Sequence, residues 1–332
     1  MEESQPGPGE TPPALAVSGL AKRFDDVQAV DGADFIVRPG EVFGFLGPNG
    51  AGKTTTIKLL TGLARPDAGS IAYFGADFTR RLKAAQHLFG VVADGNNLYP
   101  ELTGRENLEF CAALYGIGRA EARNRVEELL ERFGLDYAAG RRFGGYSRGM
   151  GRRLCIAAAL VHRPRLLFLD EPTTGIDVPN AREIRRMLAG LAADGTTIFL
   201  TTHYIEEAER LCDRVAFIVA GRIVRQAAVE KLLDGARDRR IIELQLDTAP
   251  EPLLSALSEH FPTNRWEPRA GKRLRLISTA EIELAPPVAF LAERGAAVLE
   301  ARRLRPSLEE VFVEVTGLAA ERLSAEKGGR RG

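Results

Sequence analysis

Cysteine and histidine are scarce in this sequence, which has 3 cysteines and 4 histidines among 332 residues. The cysteines, Cys111, Cys155 and Cys212, stand far apart and form no CxxC pair of the kind that binds zinc. No two histidines have the spacing that would place both on one helical face. The sequence therefore predicts buried thiols in a reducing compartment, and neither a zinc site nor a disulfide framework.

Long apolar runs are also missing, although a membrane-spanning helix needs about 20 mostly apolar residues. The best candidates, Cys155–Val161 and Leu166–Leu169, are interrupted by His162, Arg163, Pro164 and Arg165. The N-terminus is rich in Pro, Gly and Glu and lacks the basic start and apolar run of a signal peptide. We therefore expect a cytoplasmic protein in which any membrane role requires a partner.

Neither sign of charge is in excess, since 45 Lys and Arg residues balance 45 Asp and Glu residues. A dedicated nucleic-acid binder usually carries a basic domain or stripe, so we expect no nucleic-acid partner. The hydrophobic fraction of 45% is ordinary for a globular protein, and 332 residues suit one large and one small domain.

Residues 14–235 are assigned to one α/β domain with a largely parallel sheet, because short apolar runs alternate there with helical patterns. The predicted strands are Val17–Phe24, Glu41–Leu46, Ser70–Phe74, Phe89–Val92, Leu166–Asp170, Thr197–Thr202 and Arg214–Val224. The predicted helices are Lys53–Leu63, Arg105–Tyr115, Ala120–Phe133, Arg148–Val161, Ala181–Ala192 and Ile205–Cys212. Thr103–Leu135 holds two consecutive helical patterns, which predicts a helical subdomain inserted into the core.

Residues 239–317 form a second predicted domain, joined to the first by a helix near Val229–Leu233. Their pattern reads βαββαβ, which predicts a small α+β domain of the ferredoxin-like type. A final helix begins after Ser307, a residue suited to capping it. Residues 1–13 are predicted to be a disordered lead-in, and residues 318–332 a flexible tail.

A complete phosphate-binding loop follows the strand Glu41–Leu46 and fits the pattern GxxxxGK[ST]. Its residues are Gly47, Pro48, Asn49, Gly50, Ala51, Gly52, Lys53 and Thr54. Glycines let the backbone N–H groups converge on a phosphate, and the helix that follows adds its positive end. We expect Lys53 to neutralise the β- and γ-phosphates and Thr54 to bind Mg²⁺. The alternative, a glycine-rich turn before an ordinary helix, does not explain the whole pattern.

Two adjacent carboxylates, Asp170 and Glu171, stand at the end of the predicted strand Leu166–Asp170. The carboxyl ends of parallel strands are where such sheets bind ligands. We expect Asp170 to serve Mg²⁺ and Glu171 to orient and polarise the attacking water. Solvated acids that merely end a strand are the alternative. Since no [NT]KxD guanine-reading sequence is present, the nucleotide is expected to be ATP.

Between these motifs lies Tyr146–Met150, in which Ser147 can cap the next helix and Gly149 permits close approach of an anion. Taken alone, helix capping is the simpler interpretation of Ser147. Asp177 follows Glu171, and His203 follows the strand Thr197–Thr202. Taken alone, His203 is a structural residue at a strand end.

The order of these motifs resembles that of the ATP-binding-cassette ATPases, specifically the subunits of drug-export transporters similar to the daunorubicin-resistance family. The stretches that carry the resemblance are GPNGAGKTTT, NNLYPELTGRENL, YSRGM, LLFLDEPTTGID, TTHYIEEAE and PSLEEVF. They extend over nearly the whole chain from Ala14 to Gly317. The resemblance implies a P-loop cassette with a mixed sheet and an inserted helical subdomain.

The resemblance also implies roles for individual residues. Catalytic roles fall to Lys53, Glu171 and His203, with His203 contacting the γ-phosphate. Ser147 and Gly149 hold the γ-phosphate that is bound to the opposite subunit of a head-to-tail dimer. The other implied nucleotide- and metal-site residues are Phe24 on adenine, the loop Gly47–Thr55 including Thr55, Asp94 and Asp170 beside Mg²⁺, and Asp177 at the subunit boundary. A core position is the alternative for Phe24.

Asp94 departs from the family pattern, because the family usually has Gln at this place. An Asp oxygen can still serve Mg²⁺, but the side chain is shorter and adds negative charge beside the phosphates. Metal affinity or coupling to the permease is therefore expected to differ. Gly151 also departs from the pattern, and it weakens the helix start by about 1 kcal/mol relative to Ala.

The sequence thus predicts an ATP-hydrolysing subunit that powers an exporter of drugs, antibiotics or similar cargo. Its expected partners are a separate transmembrane permease and a second cassette, in a homodimer, and its expected place is the inner face of the cell membrane. The residues 239–317 are expected to regulate the ATPase or stabilise the dimer. The alternatives are a soluble cassette ATPase acting on DNA or ribosomes, and a regulatory nucleotide binder without catalysis.

Overall fold

The computed structural model describes residues 11–95, 97–237, 240–304 and 307–317. Most of the predicted lead-in, up to residue 10, and the predicted tail from residue 318 lie outside these ranges. The described residues fall into two compact units, one formed by the chain up to Ala228 with residues from Val315, and one formed by Val229–Glu314. The domain limits drawn from the sequence stay predictions.

The first unit is a mixed α/β structure. Its strands are β1 (Leu15–Phe24), β2 (Val27–Val37), β3 (Val42–Leu46), β4 (Ala68–Tyr73), β5 (Ala76–Asp77), β6 (Phe89–Val92), β7 (Leu166–Asp170), β8 (Thr197–Thr202), β9 (Arg214–Val219) and β10 (Arg222–Ala228). Its α-helices are α1 (Lys53–Leu60), α2 (Gly104–Leu114), α3 (Arg119–Arg132), α4 (Arg148–Ala159), α5 (Val178–Ala193) and α6 (Ile205–Leu211). Short 3₁₀ helices cover Leu82–Leu88, Asp136–Ala138 and Phe143–Gly145.

The site is positioned by a six-stranded sheet with the order β10-β9-β3-β8-β7-β6. Strands β3, β7 and β8 are buried along their whole length, as expected for a parallel sheet covered on both faces. They run parallel in register, with Leu46 opposite Thr202 and Asp170 opposite Thr201. Their carboxyl ends therefore meet at one edge, and the residues that follow them come together there.

Two hairpins differ from the sequence prediction. Strand β2 was missed, because Asp31, Gly32 and Asp34 interrupt its apolar alternation; the left-handed Gly32 (φ +66°) lies where its register with β1 is irregular. The predicted strand Arg214–Val224 is wrong as a single element, since Ala220 and Gly221 both have positive φ and turn the chain between β9 and β10. Two positive φ angles suit the tight hairpin turn, but Ala gives a weaker turn signal than Asn or Asp before Gly.

Strand β2 also supplies part of the core. It belongs to an antiparallel sheet with the order β2-β1-β4-β5, and its Phe35 packs against Phe43, Phe45 and Phe199 of the parallel sheet. The centroid of the Phe35 ring lies 5.5–5.8 Å from the centroids of those three rings. Burying a Phe side chain stabilises a fold by roughly 1.5–3 kcal/mol, so this cluster joins the two sheets firmly.

The predicted helical insertion corresponds to α2 and α3, which pack against each other and against α4. Helix α2 begins with a capping box, in which Thr103 accepts from the backbone of Glu106 and the Glu106 carboxylate accepts from Thr103. Such a box satisfies two backbone donors at a helix start and fixes where the helix begins. Among the described residues, no helix is both long enough and apolar enough to cross a membrane.

The second unit has a ferredoxin-like arrangement, as the βαββαβ pattern predicted. Its elements are α7 (Val229–Arg237), β11 (Arg240–Leu246), a 3₁₀ turn (Glu251–Leu253), α8 (Leu254–His260), β12 (Arg265–Arg269), β13 (Arg273–Ser278), α9 (Ala285–Glu293), β14 (Val298–Leu304) and α10 (Leu308–Thr316), whose last two residues belong to the first unit. The sheet order is β12-β13-β11-β14, with every neighbouring pair antiparallel. Apolar residues of β11, β13, α8 and α9 form its core. Ser307 accepts a hydrogen bond from the Glu310 backbone at the start of α10, as predicted.

Candidate functional site

The loop between β3 and α1 is packed so closely that only glycine fits at two of its positions. A Cβ on Gly47 would lie 2.1 Å from the Ile218 carbonyl oxygen. Gly52 has φ +107°, and its Cβ would lie 2.3 Å from the carbonyl oxygen of Ala29 on β2. The backbone of the loop is therefore held against β2 and β9, in the shape that the phosphate-loop pattern predicted.

Lys53 is the first residue of α1, and its side chain is only 6% exposed. Its ammonium donates to the carbonyl oxygens of Gly47 at 2.7 Å and Pro48 at 3.1 Å, so the side chain folds back along the loop. The Glu171 carboxylate lies 3.3 Å away. Burial lowers the pKa of Lys53, and the charge of Glu171 opposes this shift. The loop thus contains a buried cation whose carbonyl partners a phosphate could replace.

Asp170 ends β7 and is held by hydroxyl groups. It accepts a hydrogen bond of 2.5 Å from Thr201 on β8, and a second from the Thr54 hydroxyl. Burial raises the pKa of Asp170, and the negative charges of Glu171 and Asp94 raise it further, while the two hydroxyl groups oppose the shift. Lys53 is near enough for its charge to interact with Asp170, yet the pKa of Asp170 stays raised, so a bound cation would favour its ionised form.

Glu171 follows Asp170 with φ +50°, in the left-handed region that few non-glycine residues adopt. This turn aims its carboxylate at the end of the sheet, where His203 Nδ1 lies 2.7 Å away and Thr174 donates at 3.0 Å. Burial acts to raise the pKa of Glu171, but the His203 hydrogen bond and the Lys53 charge outweigh it and lower the pKa overall. Glu171 is therefore a fixed, ionised carboxylate at neutral pH.

The oxygens that could serve Mg²⁺ lie beside this carboxylate. The Thr54 hydroxyl contacts the Asp170 carboxylate, and the exposed Asp94, just after β6, is near enough for its charge to act on Asp170. Within the described ranges, no group of three or more His, Cys, Asp or Glu residues could hold a metal ion by itself. Mg²⁺ prefers oxygen ligands and commonly takes only one or two carboxylates together with phosphate and water, so these residues fit it.

A second group of predicted residues lies where α4 and α5 begin. Ser147 caps α4 by accepting from the Met150 backbone, and Asp177 caps α5 by accepting from the Asn180 backbone. A Cβ on Gly149 would lie 2.6 Å from the Asn180 side chain, which itself donates to Asp177. Hydrogen bonds from Asn180 lower the pKa of Asp177. The structure therefore brings Ser147 and Asp177 together on one surface, while Gly149 is buried against the Asn180 side chain.

This surface is distinct in its contacts from the Lys53–Glu171–His203 group. Ser147 and Asp177 are both exposed, and their hydrogen bonds stay within the starts of α4 and α5. In the described part of the chain, no hydrogen bond joins them to the phosphate loop. Their polar groups are therefore open to another molecule, as a site completed by a second subunit requires.

Phe24 lies at the end of β1 with 47% of its surface exposed, so the core interpretation of this residue is wrong. Lys22 Nζ lies 5.2 Å from the ring centroid. Stacking on adenine requires an accessible ring, and this ring is accessible. Its role at the nucleotide stays a prediction.

Several residues of the site escaped the sequence reasoning. Thr201 holds both Asp170, through its hydroxyl, and the Glu171 backbone, through its carbonyl oxygen. Thr174 positions the Glu171 carboxylate, and Arg152 binds the loop that carries Asp94. The two threonines that end strand β8, Thr201 and Thr202, were a usable signal. No such signal pointed to Arg152, because its partners are backbone carbonyl groups about 60 residues away in the sequence.

Comparisons with known proteins show the family of the chain. Residues 30–174 match the family model described as ABC transporter. Over 307 residues, 92% of this chain and 96% of the relative, the chain is 40% identical to the daunorubicin resistance ATP-binding protein DrrA3 of Streptomyces coeruleorubidus. It is 47% identical to the Nod factor export ATP-binding protein I of Burkholderia thailandensis over 299 residues, 90% of this chain and 95% of the relative.

A solved structure shares the fold of the first unit. It is a dimeric, post-hydrolysis state of the ATP-binding cassette MJ0796 bound to ADP and phosphate, with 25% identity and a TM-score of 0.59. The similarity covers 65% of this chain and 98% of that structure.

Proposed function

Since the chain belongs to the ATP-binding proteins of ABC transporters, and so binds and hydrolyses ATP, we propose that it powers an exporter through a separate transmembrane permease. Both relatives described above are named for drug resistance or export. They support export of a drug, antibiotic or comparable small molecule, with the permease selecting the cargo. The protein then works at the inner face of the cell membrane.

ATP binding begins with an exchange of partners at Lys53. In the structure, its ammonium donates to the carbonyl oxygens of Gly47 and Pro48. We propose that the β- and γ-phosphates replace these weaker neutral partners, because a charged acceptor binds a charged donor more strongly. The N–H groups of the loop Gly47–Thr55 and the N-terminus of α1 attract the same phosphates. Phe24 supplies an accessible ring for adenine.

Hydrolysis depends on the carboxylate of Glu171. His203 and Thr174 fix its direction, and its ionised state lets it accept a hydrogen bond from the attacking water and polarise that water. When bound by Thr54, Asp170 and Asp94, Mg²⁺ would supply charge stabilisation to the phosphates. Lys53 remains as a positive group beside the transferred phosphoryl.

We further propose that two chains form a head-to-tail dimer in which each completes the site of the other. Ser147 and Gly149 of one chain bind the γ-phosphate held by the loop of its partner, and Asp177 organises the boundary. The exposure of Ser147 and Asp177 supports this arrangement, as does the dimeric state named for MJ0796. Hydrolysis removes the γ-phosphate that both chains grip, so the dimer loosens and the permease can follow.

The observation that carries the proposal is the group of three buried side chains, Lys53, Glu171 and His203, that contact one another at the carboxyl ends of β3, β7 and β8. Glu171→Gln tests it, because the amide keeps the shape but cannot polarise water as a carboxylate does. We expect the variant to bind Mg-ATP, to hydrolyse it 10²- to 10⁴-fold more slowly (an order-of-magnitude estimate) and to accumulate as a dimer. Light scattering on a sizing column measures the dimer, and unchanged turnover or a monomeric variant would contradict the proposal.

A soluble ATPase acting on DNA or ribosomes is the alternative, and co-purification separates the two. A tagged protein expressed in its native cells should copurify with an integral membrane protein. Recovery of ribosomes or DNA, and of no membrane protein, would favour the alternative. Glu243→Gln, a change of the same size in the second unit, is the matched control for the turnover of Glu171→Gln.

A further inference from the structure

Arg152 is a buried arginine that the mechanism above does not use. Its side chain is only 4% exposed, on the inner face of α4. One guanidinium nitrogen donates to the Ala93 carbonyl oxygen at 2.6 Å, and the other donates to the Asp94 carbonyl oxygen at 2.7 Å. A buried charge is costly unless its donors are satisfied, so such a residue usually does more than fill space.

The two ends of this contact belong to different parts of the proposed machinery. Arg152 lies five residues after Ser147, on the rigid helix α4 that Ser147 caps. Asp94 lies on the loop after β6, and its charge acts on Asp170 within the same chain. Cys155, one turn further along α4, also contacts this loop through the backbone of Asn97. Helix α4 therefore holds the Asp94 loop at successive turns.

We infer that Arg152 is a positioning residue that couples the two ATP sites of the dimer, an inference that rests on the proposed function. In that dimer, Ser147 meets the ATP of the partner, whereas Asp94 lies beside the chain's own ATP. A shift of α4 on binding the partner's nucleotide is passed by Arg152 to the Asp94 loop. Occupation of one site then prepares the other, which is positive cooperativity.

The chemistry of arginine suits this task. Its planar guanidinium presents donors in a fixed fork, so it grips two successive carbonyl groups at once and fixes the loop in orientation as well as distance. A lysine carries the same charge, but its donors all lie on one nitrogen at the end of a flexible stem, so it would fix the orientation of the loop less firmly. The next residue, Arg153, is also buried, but it binds the Phe133 carbonyl oxygen and Glu183. Arg153 therefore offers a matched control on the same helix, since the hydrogen-bond partners that the structure describes for it lie outside the Asp94 loop.

The test measures ATP hydrolysis by the full-length chain against ATP concentration, for the wild type, Arg152→Gln, Arg152→Lys and Arg153→Gln. We expect the Hill coefficient of Arg152→Gln to fall toward one, and its half-saturating ATP concentration to rise about tenfold, as lost coupling implies. Arg152→Lys should fall between it and the wild type. Arg153→Gln should keep the wild-type Hill coefficient. Thermal unfolding of each variant verifies that it is folded, and Arg152→Lys serves if Arg152→Gln is not.

A double-mutant cycle with Asp94→Ala identifies the route of the coupling. Arg152 donates to backbone carbonyl oxygens, so Asp94→Ala keeps both of its hydrogen bonds and removes only the Asp94 carboxylate. If Arg152 acts by positioning that carboxylate, Arg152→Gln should have little further effect on the Hill coefficient in the Asp94→Ala background. Additive effects of the two changes would overturn the inference.

Other outcomes are equally decisive. Wild-type cooperativity in Arg152→Gln, or an equal loss in Arg153→Gln, would show that Arg152 is not the specific link. A wild type without cooperativity, in a protein whose Glu171→Gln variant still forms the ATP-bound dimer, would overturn this inference and leave the proposed function standing. Failure of Glu171→Gln to dimerise would remove the proposed function itself.

Discussion

Each compact unit contains a buried glutamate whose pKa is lowered, and the two side chains look alike at first. Glu171 is 8% exposed and Glu243 is 5% exposed. In both, burial acts to raise the pKa of the carboxyl group, and hydrogen-bonded partners overcome it and lower the pKa. The second unit uses Arg302, at 2.6 Å, and Arg275 to hold Glu243.

The two glutamates differ in where their positively charged partners lie. Glu243 lies in the middle of β11, and its arginines come from the adjacent strands β13 and β14, so the cluster joins one sheet to itself. Glu171 lies beyond the end of β7 in a left-handed turn, and its partner Lys53 also lines a loop shaped for a phosphate. Burial and a lowered pKa therefore do not identify a catalytic carboxylate. The place of Glu171 at the carboxyl edge of a parallel sheet is what makes it the candidate.

The largest expected effect comes from removing Lys53, the partner of Glu171 that faces the phosphate loop. Lys53→Ala should abolish nucleotide binding, and ATP turnover with it, since it removes a positive group aimed at the phosphates. Binding of a fluorescent ATP analogue and phosphate release measure the two effects. Lys58→Ala, on the exposed side of the same helix, is the control. Normal ATP affinity in Lys53→Ala would show that the phosphate site lies elsewhere.

A smaller effect, on stability alone, is expected at Glu243. Glu243→Gln should lower the free energy of unfolding of the second unit by about 1–2 kcal/mol, because its arginines lose a charged acceptor but stay partly exposed to solvent. The lowered pKa means that this contribution is complete above the ordinary value of 4.5 and is lost as pH falls through the folded-state pKa. Wild type and variant should therefore converge in acid, as followed by urea unfolding.

ATP turnover should not change in Glu243→Gln, because Glu243 is held by arginines of the second unit, whereas Glu171 contacts Lys53 of the phosphate loop. Glu281→Gln, which loses only a pair between Arg240 and an exposed carboxylate, is the control for stability. A large loss of turnover in Glu243→Gln would mean that the second unit takes part in hydrolysis, contrary to the contrast drawn above.

The smallest expected effect is a gain in stability at Asp170. Its raised pKa means that the ionised form is disfavoured in the folded chain, so at neutral pH its charge costs stability. Asp170→Asn should therefore raise the free energy of unfolding of the nucleotide-free protein by about 0.5 kcal/mol, while turnover is lost. Calorimetry without nucleotide measures the change, and a lower melting temperature would contradict the predicted cost of that charge.

Much of the site could be predicted because its residues belong to short sequence motifs. The loop from Gly47 to Thr54 and the pair Asp170–Glu171 each need neighbouring residues of fixed type, and both stand at the ends of strands with strong apolar patterns. The surface near Ser147 was accessible only through a family resemblance, since a serine before a helix is usually just a cap.

What could not be predicted depends on contacts between distant segments. Strand β2 has weak alternation and is held in place by its pairing with β1 and by Phe35 in the core. The hydrogen bonds of Thr201 and Arg152 join residues 31 to 59 positions apart, and those of Arg152 end on backbone carbonyl groups, which every residue possesses. No local pattern encodes such pairs, because they exist only once the sheet has assembled.

At Glu171, the backbone conformation that favours stability and the side chain proposed for hydrolysis call for different residues. Its φ of +50° suits glycine or asparagine better than glutamate, so either substitution would relieve the chain while removing the carboxylate. A laboratory selection that rewards heat resistance alone would tend to discard glutamate at this position and return inert, robust proteins. A selection that demands ATP consumption would retain it and would have to find its added robustness elsewhere in the molecule.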